Sequence, residues 1–480
     1  MSAEEIAARL GEASSVKLVR RALGDDAAAW VVGGAVRVAA LGREVEDLDI
    51  AVGGGEAEAA RSIAREAEGH AFPLSEEFGT WRVVDREHEP VADVTRLRGD
   101  SIEGDLGGRD FTVGAVAVPL SGGAAIDPHG GLDDLERGEL RAVSDSSFAD
   151  DPLRLLRAAR LGAGLGLEIE PGTLSLARAE SARAAEPAGE RQFAELARIV
   201  AGPDPLRGLE LLDELEIAAQ VLPELQALRG VEQNPNHHLD VYGHTIEVLR
   251  QWLAVEADLD RYAGEHAEGT RRLLAEPLAD GLTRGGALRL GALVHDTGKP
   301  QTKGRRGEYV TFVGHDRAGV EVVGDMSRRL RTSRALRRHL QGLTLHHLRL
   351  GFMVHERPLS GRRVHDYLRA TEPVSADVTL LTVADRLAAR GEGPVASSEM
   401  VEAHLELARE MLGAALAWRR LGPPEPLLAG DELAAELGIE PGPRVGELLA
   451  ELEAAQYGGE VSSRAEALEL ARGLAASVPR

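Results

Sequence analysis

Between residues 28 and about 140, apolar residues come in short runs separated by Gly-rich turns: AAAWVV, DLDIAV, WRVV, PVADVT and FTVGAVAV. Runs this short and rich in β-branched residues predict strands, so this part reads as an α+β unit. From Asp150 onward Leu and Ala recur at the helical spacing almost to the end, which predicts an all-α body. The charged stretch 254–285 reads as surface, and the Pro-rich LGPPEP at 421–426 as a linker into a last helical segment. The expected division is a head over 1–142, a helical neck over 143–228, a histidine-bearing domain over 229–395 and a helical tail over 396–480. No apolar run approaches the roughly 20 residues of a membrane span. The acidic start MSAEEIAARLGEASS lacks the basic and apolar parts of a signal peptide. A cytoplasmic protein with no membrane partner is expected.

Composition narrows the chemistry. The 480 residues contain no cysteine, which excludes disulfides, thiolate catalysis and Cys-type zinc sites. The net charge of −24 argues against sequence-independent nucleic-acid binding over the whole surface. Residues 299–349 depart from that average, with 12 Lys/Arg against 4 Asp/Glu. Within them Arg331, Arg334 and Arg338 have the spacing of one helix face, a candidate stripe for phosphate.

The segment AWVVGGAVRVAALGREVEDLDIAV is the richest in chemistry. Trp30–Val32 predicts a strand stopping at Gly33-Gly34, then a helix over 35–41. Two glycines allow a sharp turn and close approach to a ligand, and the helix N-terminus offers N–H groups to phosphate. Asp47 and Asp49 stand two apart in a strand-like run, so their carboxylates share a side. Such acids repel unless cations lie between them, and a Mg²⁺ pair shared with substrate phosphates fits that need. Asp93, in PVADVTRLR, is the best candidate for a third carboxylate from a neighbouring strand, with Glu89 a weaker one.

Taken in order, GGAVR, DLDIAV, DLGGRDFTVGAVAV (105–118), IDPHGGLDDLERGELR (126–141) and FADDPLRLLRAARLGAGLG (148–166) resemble class II tRNA nucleotidyltransferases and bacterial poly(A) polymerases. The resemblance implies a polymerase-β-type nucleotidyltransferase head. It implies that Asp47 and Asp49 hold the catalytic Mg²⁺, that the Gly33-Gly34 turn and Arg37 meet the triphosphate, and that Arg109 with Asp110 serves the nucleotide. The reaction would be attack of an RNA 3′-hydroxyl on the α-phosphate of ATP or CTP. Departures stand at Val38, where Asp is usual, at Gly108, where Arg is usual, and at Gly114, where Asn is usual. Each removes a polar partner near the nucleotide.

In DDPLRLLRAAR, Asp151 suits a helix N-cap and Pro152 the first helical position. Arg154, Arg157 and Arg160 recur every three residues. This block resembles the family's Glu-Asp-x-x-Arg motif, which implies that Asp151 and Arg154 read the edge of the incoming base, Asp150 standing for the Glu. Arg157 and Arg160 would support the triphosphate.

Eleven of the fifteen histidines lie between His237 and His365. Neutral imidazoles and carboxylates brought from separate helices suit a transition metal. The series resembles the HD phosphohydrolase superfamily, with His244, His295, Asp296 and Asp385 in the signature places. His315 and His347 look like further ligands, His346 being an equal alternative to His347. A divalent Mn, Ni, Fe or Co ion is implied, with a phosphohydrolase or phosphodiesterase activity.

The expected function is addition of C and A to tRNA or another RNA 3′ end from CTP and ATP. Alternatives are a poly(A) polymerase, a partial CC- or A-adding enzyme, or an inactive head with the HD centre as the catalyst. The shortness of the stretch from Asp93 to Asp105 favours a partial adder or a distinct subfamily.

Overall fold

The computed structural model describes residues 1–45, 48–75 and 79–476. The chain forms two compact units: residues 1–187 with 202–221, and residues 188–201 with 222–480.

The first unit is built on a six-stranded sheet of β1 (Ala29–Val32), β2 (Asp49–Val52), β3 (His70–Ser75), β4 (Thr80–Val84), β5 (Pro90–Arg96) and β6 (Ala117–Pro119), in the order β3-β4-β5-β2-β1-β6. β2 and β5 run parallel and the other neighbours antiparallel. Alternation along the strands sends Val31, Ile50, Val83 and Val94 to one face. There they join a core with Ile6, Val19, Val36 and Ile63 from the helices Ala3–Glu12, Ser14–Leu23, Gly34–Ala40 and Glu56–Glu66. On the opposite face a smaller cluster of Val32, Ala51, Leu97, Leu106 and Ala117 packs around the helix Ile102–Gly107. Asp49 and Asp93 stand on this same face, opposite each other in the β2–β5 register.

The α+β head and helical body are as expected, with differences in detail. β3 was not anticipated, because HAFPLS carries Pro73 and leaves Phe72 and Leu74 exposed. Of FTVGAVAV only Ala117 and Val118 fall in a strand, β6, Thr112–Gly114 being a 3₁₀ turn.

The second unit is helical. The helices Val241–Ala257, Arg284–Val294, His315–Arg329, Arg334–His346 and Ser375–Ala388 bring the histidine series together. The helix Ser375–Ala388 is apolar almost all round and buried from Ser375 to Ala384, as an interior helix must be. The C-terminal helices Gly430–Leu437, Pro443–Tyr457 and Arg464–Ala476 close on a small core of their own, with Leu433, Leu448, Leu452 and Ala467. Two readings are corrected. Residues 254–285 are not merely surface: the helices Leu259–Ala263 and Ala267–Ala275 bury Leu259, Ala263, Leu273 and Leu274. Arg331 does not share a helix face with Arg334 and Arg338. It stands between two helices at φ +52° and pairs with Glu190, because Ser333 starts the next helix by accepting Leu336 N.

Candidate active site and metal centre

In the head, β1 ends at Val32, and Gly33, whose φ of +68° suits glycine, turns the chain into the helix Gly34–Ala40. A Cβ at Gly33 would lie 3.1 Å from Asp49 Oδ2 and 3.3 Å from Arg109 Nη1. The turn therefore brings bare backbone between a carboxylate and a guanidinium. Asp49 faces Asp93 across the parallel pairing of β2 and β5. Asp93 is held by Arg82 of β4, whose Nε and Nη2 each donate to one of its oxygens at 2.8 Å. Asp47 lies outside the described residues, and Glu89 stands at the exposed start of β5.

Arg109 is aimed by Asp105, a buried carboxylate that sequence reasoning did not single out. Asp105 Oδ2 accepts from Arg109 Nε and Nη2 at 3.1 and 3.0 Å, while its Oδ1 accepts from Arg98 N at 3.0 Å. Arg109 Nη1 donates to Gly114 O at 3.3 Å. Asp110 accepts from Arg157 Nε at 2.7 Å and from Phe111 N at 2.9 Å. Burial alone would raise its carboxyl, but the charge and hydrogen bonds of Arg157 hold it below the usual range. Arg37 is pushed down by burial and by Arg160 and Arg157, against Asp110 and Asp49. Its Nε is buried with no hydrogen-bond partner. Three guanidiniums thus crowd two carboxylates, which is the charge pattern of a site for an anion. A Cβ at Gly114 would come within 3.6 Å of Asp110 Oδ1 and 3.8 Å of Arg37 Nη1. The side chain absent there would have touched both.

The neck helix Leu153–Leu165 starts one residue later than read, with Pro152 at the N-cap, and Asp151 Oδ1 still accepts Leu153 N at 3.1 Å. Arg154 lies against the head segment, donating to Gly108 O at 2.8 Å and Ser147 Oγ at 3.0 Å. Two more carboxylates went unnoticed in the motif IDPHGGLDDLERGELR. Asp127 caps the helix Gly131–Arg137 through Gly131 N and Leu132 N, and buried Asp134 accepts from Thr112 Oγ1 at 2.6 Å and pairs with Arg137 and Arg141.

In the second unit His295 and Asp296 follow the helix Arg284–Val294, His244 sits in Val241–Ala257, His315 opens its helix, His347 closes Arg334–His346, and Asp385 comes from Ser375–Ala388. Gly298 permits this convergence, since a Cβ there would lie 2.1 Å from His315 O. The donors form two groups, His244–His295–Asp385 and Asp296–His315–His347, with the ligand atoms of each within 4.8 Å of one another. His346 is instead turned to Arg349, so His347 is the member of the cluster. The Nδ1 atoms of His295, His315 and His347 lie 2.7–2.9 Å from the carbonyls of Ala292, Phe312 and Thr344. Donation there leaves Nε2 as a lone pair aimed inward. His315 Nε2 and His347 Nε2 then face each other at 3.2 Å, with Asp296 Oδ1 3.4 Å from the former. Lone pairs converging on a buried carboxylate fit a cation. Burial lowers His347 to about 4, so it is neutral at neutral pH. Burial would raise Asp296, but His295 and Lys299 hold it well below the usual range. Lys299 Nζ is 2.6 Å from Asp296 and donates to Gln233 Oε1 at 2.7 Å.

These two centres define a nucleotidyltransferase head joined to an HD-type metal-binding body. Residues 29–141 match the Poly A polymerase head domain, 166–228 the Probable RNA and SrmB-binding site of polymerase A, and 241–390 the HD domain. An A-adding tRNA nucleotidyltransferase of Deinococcus radiodurans is 38% identical, over 92% of this chain and 94% of the relative. A CC-adding tRNA nucleotidyltransferase of Thermus thermophilus is 33% identical over 92% of each. The chain belongs to the tRNA nucleotidyltransferase family and is a nucleotidyltransferase enzyme. Its fold is also that of a CCA-adding enzyme solved with ATP, at a TM-score of 0.65, 20% identity and 99% coverage of each chain. Among the described residues no helix is long and apolar enough to cross a membrane.

Proposed function

We propose that the protein adds nucleotides of the CCA sequence to tRNA 3′ ends in the cytoplasm, and that it performs part of that sequence, the terminal A addition from ATP. The observation that carries the partial reading is the link from β5 to the helix Ile102–Gly107. It consists of residues 97–101 alone and is clamped by Asp105 through Arg98 N. An enzyme that selects C and then A has to rearrange between steps, and a short clamped link suits one base. The A-adding relative supports the same reading.

In this reading Asp47 and Asp49 would hold Mg²⁺, which when bound would supply charge neutralisation for the transfer. Asp93 lends its remaining lone pairs while Arg82 fixes its orientation. The Gly33-Gly34 turn, Arg37, Arg157 and Arg160 receive the triphosphate, Arg109 and Asp110 hold the site in register, and Asp151 and Arg154 select the base. The test is incubation with Mg²⁺, labelled ATP or CTP, and tRNA lacking CCA, lacking A, or complete. One A on tRNA ending in CC is expected. Two Cs on tRNA lacking CCA, all three nucleotides, or a long A ladder would each replace this reading with the corresponding alternative.

A second activity, phosphoester hydrolysis at the HD centre with a divalent Mn, Ni, Fe or Co ion, is favoured by the six converging donors. There Lys299, buried at Asp296, supplies positive charge for a phosphate. Metal-dependent release of p-nitrophenol from bis(p-nitrophenyl) phosphate, lost in His295→Ala, is the expected result.

A further inference from the structure

The six donors of the HD centre are not equally enclosed. Five are buried, while the side chain of Asp385 is 25% exposed. A substrate therefore meets the centre at its Asp385 end. Residues 231–240 pack there. Just past the helix of Asp385, Gly391 N donates to Asn236 O at 2.9 Å and Gly393 N to Pro235 O at 3.0 Å. A Cβ at Gly391 would lie 2.2 Å from Pro235 O, so the two chains meet closely. Asp240 fixes the other end of the segment. Its Oδ2 accepts from Gly230 N at 2.6 Å, and its Oδ1 caps the helix of His244 through Gly243 N at 2.7 Å.

His237 stands on this pinned segment with its ring against that of His244, the centroids 4.5 Å apart. It is nevertheless in neither donor group. Its Nδ1 is buried without a partner, and among the described residues its side chain makes no hydrogen bond or ion pair. By contrast His244, His295, His315 and His347 each have a bonded ring nitrogen. An unpaired buried nitrogen is disfavoured unless a ligand meets it, and an imidazole always carries at least one N–H. On the same segment Gln233 holds the ammonium of Lys299 beside Asp296. The segment thus brings an N–H and an ammonium to the open end of a metal centre. Both suit oxygens that only accept, such as those of a phosphate.

We propose that His237 is a substrate-binding residue of the HD centre, donating its ring N–H to a phosphoryl oxygen of a phosphoester at the Asp385 end. The inference rests on the phosphoester-hydrolysis reading of that centre. Full-length protein and the variants His237→Ala and His237→Asn are titrated with inorganic phosphate by calorimetry, and their metal content is read by elemental analysis. KM and kcat are then measured with bis(p-nitrophenyl) phosphate, and urea unfolding checks that each variant is folded.

His237→Ala should weaken phosphate binding about tenfold, the loss of one hydrogen bond to a charged group. KM should rise in parallel while kcat stays within about twofold, as for a contact made equally in the ground and transition states. Metal content should stay at the parent's value, and His237→Asn, which keeps an N–H donor, should recover most of the loss. Unchanged phosphate affinity overturns the inference, as does a parent that binds no phosphate. A lower metal content in folded His237→Ala also overturns it, and makes His237 a further ligand of the ion instead. If the parent binds phosphate but releases no nitrophenol, the hydrolysis reading falls, while the phosphate titration still decides the role of His237.

Discussion

At the scale of single residues, the head depends on what Gly33 lacks. Alanine there would adopt a positive φ, costing roughly 1 kcal/mol, and its methyl would press on Asp49 and Arg109. Gly33→Ala should lower kcat/KM for nucleotide incorporation more than tenfold, with the circular dichroism spectrum unchanged. His404 illustrates the opposite case, a buried group that affects stability rather than chemistry. It is fully enclosed, lies 3.2 Å from Thr382 Oγ1, and burial lowers it from 6.5 to about 3. The sign follows directly: as pH falls below 6.5 the unfolded chain takes up a proton there and the folded chain does not, so stability is lost. At pH 5 the loss is about 2 kcal/mol. His404→Leu should melt less steeply with acid between pH 7 and pH 5, and an unchanged acid limb would remove His404 from the account.

At the scale of elements, the metal centre is only as well formed as the helices that bear it. Arg284 at the start of the helix leading to His295 and Asp296 makes a buried ion pair with Asp377, on the helix that carries Asp385. His339 Nε2 lies 3.8 Å from the same carboxylate. Removing one partner of a buried pair strands the other, at about 3–5 kcal/mol. Asp377→Ala should therefore shift the urea unfolding of this unit to lower denaturant. These long-range ties were invisible in the chain, since residues 93 apart in sequence announce nothing of their meeting. The same holds for Asp105, Asp127 and Asp134, whose roles lie in backbone amides and arginines that only the fold supplies. By contrast, the Gly-Gly turn, the strand of Asp49, the facing strand of Asp93 and the histidine series were legible. Each is carried by local patterning or by motifs that announce their own chemistry. β3 was not legible, because an edge strand with a proline and exposed Phe72 and Leu74 breaks the alternation that marks a half-buried strand. Choosing His347 over His346 also required the structure, because both stand at the end of one helix and only the backbone rotation there sends one inward.

At the scale of the whole molecule, the two centres fall in separate compact units, and this makes their independence testable. Asp49 belongs to the first unit, beside Gly33 and Arg109. His295 belongs to the second, enclosed with Asp296 and His347. Among the described residues the donors of each centre come from one unit, so substitutions should separate the two chemistries. Asp49→Ala should abolish incorporation of labelled nucleotide into tRNA and leave the transition-metal content, read by elemental analysis, at the parent's value. His295→Ala should reduce that metal content while incorporation in Mg²⁺ stays within about twofold of the parent; the enclosure of His295 makes a folding check by urea titration part of the measurement. Loss of incorporation in a folded His295→Ala protein would mean that the body's metal supports the head's reaction. Two independent centres would then give way to a single coupled one.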